Sequence, residues 1–152
     1  MTRARRFTIA IFGIALGVGF AGFQLSRTAQ DASLSSWQGG VNGYATGVRE
    51  QLSSGKPMAV LFYTDWCSNC KKLRETVLSA PEVQSFLGGF ITVKVNPEEN
   101  GANQALADSF GVAGYPTFLV IPAGDQEPRL VRRTSNVTPQ QFIAACREAL
   151  AL

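Results

Sequence analysis

Hydrophobic residues open the chain with one long apolar stretch, and shorter apolar runs separated by polar segments follow. The stretch from Phe7 to Ser26 has 20 residues and no charged side chain. A helix of about 20 residues, rising about 1.5 Å per residue, spans the roughly 30 Å hydrocarbon core of a membrane. The stretch has no polar face at helical spacing, which disfavours a helix buried in a soluble domain. The pattern therefore predicts a transmembrane helix over residues 7–26, after a basic tail over residues 1–6.

Arginines at both ends of the predicted span indicate its orientation. Arg3, Arg5 and Arg6 precede the span, and Arg27 follows it. By the positive-inside rule, the N-terminus is cytoplasmic and the chain after the span is exported. We therefore expect a single-pass protein of the inner (cytoplasmic) membrane, with its domain in the periplasm or an equivalent exported compartment.

The span has two interpretations, an uncleaved signal anchor and a cleaved signal peptide. The apolar run is longer than the roughly 7–15 residues of a signal-peptide core. Its best small-x-small cleavage site, Gly19-Phe20-Ala21, lies inside the run. Both observations favour the signal anchor.

The polar segment after the span predicts a linker over residues 27–40 and a domain over residues 41–152. Trp37, inside that segment, is either an interfacial anchor or the first packed residue of the domain. Apolar positions at i, i+3, i+4, i+7 and i+11 then predict an amphipathic helix over residues 41–52.

The domain pattern alternates between strands and helices. Apolar and β-branched runs predict strands at 58–63, 90–95, 117–121 and 130–132. Helical patterns follow at 67–78, 81–87, 103–110 and 138–150. Because the alternation ends in two strands joined by a tight turn, the order predicts a three-layer α/β sandwich, with a mixed sheet between helices.

Composition narrows the possible chemistry. The chain contains no histidine, which excludes Ser-His-Asp and Cys-His catalysis and histidine metal ligands. Four arginines in the first 29 residues account for the excess positive charge, and the rest of the chain holds 10 bases against 11 acids. Such a domain has no basic face that would bind nucleic acid.

Two of the three cysteines form a Cys-x-x-Cys motif that opens a predicted helix. Cys67 and Cys70, at i and i+3 on its first turn, are close enough for a disulfide. The helix N-terminus favours a thiolate, so Cys67 is the expected nucleophile, and the more buried Cys70 would resolve the mixed disulfide. A structural disulfide across so short a loop would add little stability, and Cys146 alone cannot complete a zinc site. We expect a redox-active disulfide with no metal or other cofactor, and an inert, buried Cys146.

The residues around this motif and a second motif resemble the thioredoxin superfamily over about residues 41–152. The resemblance rests on Phe-Tyr-Thr-Asp-Trp-Cys-Ser-Asn-Cys-Lys at 62–71 and Val-Ala-Gly-Tyr-Pro-Thr-Phe at 112–118. Within the superfamily, the chain is most similar to the periplasmic C-terminal thioredoxin-like domain of the transmembrane thiol:disulfide interchange reductase. This resemblance implies a thioredoxin-like fold and electron transfer to exported disulfide proteins.

The resemblance also implies roles for single residues. Pro116 matches the cis-proline that faces the disulfide, and the Tyr115 backbone would pair with a bound substrate strand. Trp66 matches the tryptophan that flanks the site. Ser68 and Asn69 occupy the dipeptide that tunes the reduction potential.

Two further positions near the cysteines bear on reactivity. Lys71 is either a supporting charge that steers partners and favours the thiolate or part of a solvated helix face. Many thioredoxins have a buried carboxylate six residues before the first cysteine, where this chain has Leu61. Water, Lys94 or another group then assists Cys70, or Cys70 loses its proton less readily.

These observations lead to two functional hypotheses. The first is a membrane-tethered thiol-disulfide oxidoreductase that reduces exported proteins and exchanges electrons with a separate membrane donor or acceptor, with an oxidase or isomerase as the nearby alternative. The second is a binding or assembly factor that holds clients in the groove beside Pro116 without catalysis.

Overall fold

A computed structural model describes residues 33–125, 127–132, 134 and 136–151. The predicted basic tail (1–6) and transmembrane helix (7–26) lie outside the described residues. Within the described part of the chain, no helix is long and apolar enough to cross a membrane.

A five-stranded mixed sheet forms the middle layer, in the order β1-β3-β2-β4-β5. The central strand β2 pairs parallel with β3 and antiparallel with β4. The two short edge strands pair with β3 and β4, β1 in parallel and β5 antiparallel. The strands are β1 (Gln38–Gly39), β2 (Met58–Phe62), β3 (Ile91–Val95), β4 (Thr117–Ile121) and β5 (Arg129–Leu130).

Helices cover both faces of this sheet. They are α1 (Gly40–Ser54), α2 (Ser68–Leu73), α3 (Pro81–Leu87), α4 (Gly101–Ser109) and α5 (Pro139–Ala151). A π-helical turn, Arg74–Leu78, directly continues α2, and a short 3-10 turn, Pro97–Glu99, precedes α4. Thr138 begins α5 as predicted, because its hydroxyl accepts a hydrogen bond from the Gln141 N–H.

Two hydrophobic clusters, one on each face of the sheet, pack the helices against it. On one face, Leu61 packs in a cluster with residues of α2, α3 and α5, and on the other, Phe62 packs with residues of α1 and α4. All five residues of β2 are fully buried, as expected for a continuous apolar run in a central strand. A Cβ added to Gly47 of α1 would lie 2.9 Å from the Met58 Sδ and 3.2 Å from methyl groups of Ile91 and Val93, so a larger residue there would force these side chains to move. The predicted three-layer α/β fold is confirmed.

The predicted linker, residues 27–40, is too long at its C-terminal end. Leu34 and Trp37 are buried, and Trp37 meets Phe118 edge to face at 6.2 Å between ring centroids. Strand β1 follows directly and pairs with Val93 and Lys94. This two-residue strand is defined by its pairing with β3 and not by its own sequence. Because the local sequence is polar, its pattern did not predict a strand there.

Smaller differences concern the ends of elements. The helix predicted over 67–78 is α2 followed by the π turn, with Cys67 at the N-cap. Helix α4 begins earlier than predicted, because the Asn100 side chain accepts a hydrogen bond from the Asn103 N–H and caps it. The last strand is shorter than the predicted 130–132 and begins at Arg129.

A buried asparagine joins α1, α4 and the loop after β3. The Asn103 side chain is 1% exposed, and its Oδ1 accepts a hydrogen bond from the Val41 N–H at 2.9 Å. Its Nδ2 donates to the Asn96 carbonyl at 3.0 Å and to the Glu99 Oε2 at 3.1 Å. One side chain therefore satisfies a backbone donor at the start of α1 and a backbone acceptor next to the 3-10 turn.

We predict that Asn103→Ala lowers the free energy of unfolding by about 1–3 kcal/mol, because the Val41 N–H loses its partner and the buried Asn96 carbonyl loses one of its two hydrogen bonds. The measurement is urea unfolding followed by circular dichroism. Gln104→Ala is the control, because Gln104 is exposed on the same helix. Equal stability of the two variants would contradict the prediction.

Candidate functional site

The Cys67–Cys70 pair forms a disulfide where β2 leads into α2. The two Cα atoms are 5.2 Å apart. Cys67 is the N-cap of α2, and its Sγ accepts a hydrogen bond from the Cys70 N–H at 3.1 Å. Cys67 is 6% exposed and Cys70 is 1% exposed, so the first cysteine is the more accessible residue. A backbone N–H directed at the first sulfur stabilises a thiolate formed there by reduction.

The second motif lies against the first. The Tyr115–Pro116 peptide bond is cis, as predicted. The Trp66 and Tyr115 rings meet edge to face, with 6.4 Å between centroids. Trp66 immediately precedes Cys67 and is 71% exposed. The structure thus brings the predicted aromatic residues, separated by about fifty positions, to the same end of the sheet as the disulfide.

An acidic residue that the sequence analysis did not single out holds the Trp66 side chain. The indole Nε1–H donates to both carboxylate oxygens of Glu98, at 2.9 and 3.0 Å. Nothing in the local sequence marks Glu98. The sheet topology does indicate that Glu98 and Trp66 are close. Because β2 and β3 are parallel neighbours, the residues that follow each strand emerge at the same edge of the sheet.

The predicted supporting residues lie on the exposed side of the motif. Ser68 and Asn69 are exposed between the cysteines. The Lys71 Nζ lies 3.8 Å from a carboxylate oxygen of Glu75, and both side chains are substantially exposed. A surface ion pair of this kind contributes little stability.

The position of the family carboxylate is apolar in this protein. Leu61 is fully buried in the same cluster as both cysteines. Its parallel neighbour in β3 is Lys94, whose Nζ donates to the Leu34 carbonyl at 3.0 Å. Position 61 therefore provides no carboxylate to accept a proton from Cys70. The Lys94 amino group next to it is hydrogen-bonded to the segment before β1.

The loop that carries the cis-proline also borders a groove of about 690 Å³. Its lining comes largely from the segment between α4 and β4, which includes Phe110 and Tyr115, and Tyr44 of α1, Leu119 of β4 and Leu130 of β5 add apolar surface. In the described part of the chain, no group of three or more Cys, Asp or Glu side chains is arranged to hold a metal ion.

The third cysteine lies in α5, in the same hydrophobic cluster as the disulfide. Cys146 is fully buried and not disulfide-bonded. Burial raises the pKa of the Cys146 thiol to about 12, because desolvation disfavours the thiolate. Its chemistry is therefore that of a small apolar core residue.

Comparison with known proteins agrees with this geometry. A family model described as thioredoxin-like matches residues 37–123. The thiol:disulfide interchange protein DsbD of Salmonella typhi is 36% identical over 93 residues, which cover 60% of this chain and 16% of that protein. The chain thus matches about a sixth of the length of that curated relative.

Two solved structures extend the comparison. The C-terminal domain of Neisseria meningitidis DsbD in its oxidised form is 26% identical with a TM-score of 0.55, over 70% of this chain and 91% of that domain. A protein described as DsbH oxidoreductase has a TM-score of 0.63 at 24% identity, covering 77% of this chain and 85% of its own, and shows the shared fold. The resemblance inferred from the two motifs is confirmed.

We predict that iodoacetamide does not modify Cys146 of the reduced, native protein near pH 8. With a pKa of about 12, only about one Cys146 thiol in ten thousand is ionised at that pH. Peptide mass spectrometry would find Cys146 unmodified on the native chain and modified after unfolding in guanidinium. Modification of Cys146 on the native chain as fast as that of Cys67 would contradict the prediction.

Proposed function

The chain belongs to the thioredoxin-like family, and we propose that it is a thiol-disulfide oxidoreductase that reduces disulfides of exported proteins. The observation that carries the proposal is the Cys67–Cys70 disulfide at the start of α2, bordered by Trp66 and the cis Tyr115–Pro116 loop. The match to the C-terminal domain of Neisseria meningitidis DsbD supports it.

The proposed reaction is a two-step exchange. The Cys67 thiolate attacks one sulfur of the partner disulfide, and the other partner sulfur leaves as a thiolate. The Cys70 thiolate then attacks the Cys67 sulfur and releases the second partner thiol. The partner gains two electrons, and Cys67 and Cys70 return to the disulfide state. A separate membrane electron donor supplies two electrons to reduce the pair again.

The geometry supports this division of roles. Cys67 is the more exposed of the two cysteines, so a partner is expected to reach it first. Its Sγ already accepts the Cys70 N–H, and the same bond stabilises the attacking thiolate. Cys70 lies one turn inward, within bonding reach of Cys67, so the second attack requires little movement.

The loop beside the disulfide supplies the proposed binding surface. We propose that the Tyr115 backbone pairs with an extended partner segment next to Pro116, and that Trp66 forms the opposing wall. Ser68 and Asn69, exposed between the cysteines, would contact the partner and tune the reduction potential. Lys71 would add positive charge beside Cys67.

We propose further that residues 7–26 anchor the protein in the inner membrane and that the domain works in the periplasm. The uncharged stretch and the arginines that precede it support this placement. A membrane anchor would keep the domain close to a membrane-embedded electron donor.

We predict a reduction potential near that of thioredoxin, about −270 mV, for the Cys67–Cys70 pair. The measurement equilibrates the full chain with dithiothreitol redox buffers and counts free thiols by alkylation. A value near −120 mV would identify an oxidant and contradict the reductase direction. A pair that stayed unreactive with mild reductant would favour the binding-factor hypothesis.

We also predict different outcomes for the two cysteine variants with insulin disulfides as the probe, where dithiothreitol is the electron donor in the turnover assay. Cys67→Ser loses all reduction above background, because no attacking thiolate remains. Cys70→Ser, reduced beforehand and separated from dithiothreitol, accumulates a mixed disulfide with insulin, visible on non-reducing gels, because the resolving thiol is absent.

Cys146→Ala is the matched control, since it removes the only cysteine outside the disulfide and is expected to retain activity. Full activity of Cys67→Ser would contradict the proposed catalysis.

A further inference from the structure

The residue that holds Trp66 lies in a turn with its own buried support. The 3-10 turn Pro97–Glu99 follows β3 directly. Asn96 is 4% exposed, and its Oδ1 accepts the Glu98 N–H at 3.0 Å. From helix α4, the Asn103 Nδ2 donates to the Asn96 carbonyl and to the Glu99 Oε2. Two buried asparagines therefore fix the backbone from which the Glu98 side chain extends.

The turn and its N-cap residue, Asn96, contact the two residues that precede Cys67. The Asn96 Nδ2 lies 3.4 Å from a carboxylate oxygen of Asp65. The carboxylate of Glu98 accepts the Trp66 indole N–H with both oxygens, at 2.9 and 3.0 Å. A hydrogen bond to a charged acceptor is stronger than one between neutral groups. The Asp65–Trp66 dipeptide is thus tied to the turn after β3 at two points.

Packing alone does not hold the Trp66 ring. Trp66 is 71% exposed, and its ring meets the Tyr115 ring edge to face. An exposed side chain without further contacts moves among several rotamers, and ordering such a side chain on binding costs affinity. The Glu98 bond orders it before a partner arrives.

We propose that Glu98 is a positioning residue that holds the Trp66 indole as a fixed wall beside Cys67, facing the Tyr115–Pro116 loop. The inference rests on the proposed function, because it assigns that wall to the binding of a partner polypeptide. Glu98 itself takes no part in the exchange of electrons. Its effect is on protein disulfides, which contact the wall, and not on small disulfides, which need only the sulfur of Cys67.

The test compares Glu98→Ala and Glu98→Gln in the full chain. With insulin as substrate, Glu98→Ala is expected to raise KM by about 2- to 10-fold, the penalty for ordering one side chain on binding, at nearly constant kcat. The rate with glutathione disulfide is expected to change less than twofold. Glu98→Gln keeps an oxygen acceptor for the indole N–H and is expected to restore most of the insulin KM.

Glu50→Ala is the matched control. Glu50 is exposed on α1 and accepts a side-chain hydrogen bond of 2.9 Å from the Gln38 Nε2. The Glu50→Ala substitution removes a comparable exposed hydrogen bond to a carboxylate and is expected to leave the insulin KM unchanged.

A second measurement follows the indole directly. The chain has two tryptophans, so its NMR spectrum contains two indole N–H signals, and Trp66→Phe assigns one of them to Trp66. Glu98→Ala is expected to shift the Trp66 signal upfield and speed its hydrogen exchange, whereas Glu98→Gln moves it less. A merely structural effect on the fold would shift the Trp37 signal as well.

Three results would overturn the inference while leaving the proposed function intact. They are an unchanged insulin KM in Glu98→Ala, an equal loss with glutathione disulfide, and a Glu98→Gln variant as impaired as Glu98→Ala. A wild-type chain that reduced neither insulin nor glutathione disulfide would overturn the proposed function, and this inference with it.

Discussion

The complete burial of strand β2 is the constraint on which the rest of the structure depends. Its five residues are fully covered, so helices must pack on both faces of the sheet. Its backbone must also be paired on both sides, with β3 in parallel and β4 antiparallel. A central strand with neighbours of opposite direction determines which ends of the three strands lie together.

That arrangement assembles the site. Phe62, the last residue of β2, is opposite Val95 at the end of β3 and Thr117 at the start of β4. The disulfide follows the first strand, the Pro97–Glu99 turn follows the second, and the cis Tyr115–Pro116 bond precedes the third. Three segments distant in the chain therefore meet at one edge of the sheet, where loops carry chemistry on a rigid base.

Polar groups beneath this edge hold the loops in place. Asn103 is buried and joins the start of α1 to the loop after β3, and Asn96 supports the backbone of Glu98. Because buried amides must have partners, these side chains leave the loop few alternative conformations. These hydrogen bonds form a continuous path from the buried Asn103 to the exposed Trp66 beside the disulfide.

The sequence by itself determined the features that local chemistry controls. Apolar runs defined β2, β3 and β4, and helical periodicity and end residues defined the helices to within a few positions. The Cys-x-x-Cys motif singled out Cys67 and Cys70, and the family resemblance implied the cis bond before Pro116. Only the tertiary structure decided the features that depend on a distant neighbour. Strand β1 exists because β3 pairs with it, Lys94 meets the Leu34 carbonyl, and Glu98 meets Trp66 across the ends of two parallel strands. The physical reason is that periodicity and propensity report contacts within a few residues, whereas these three interactions join segments more than 30 positions apart.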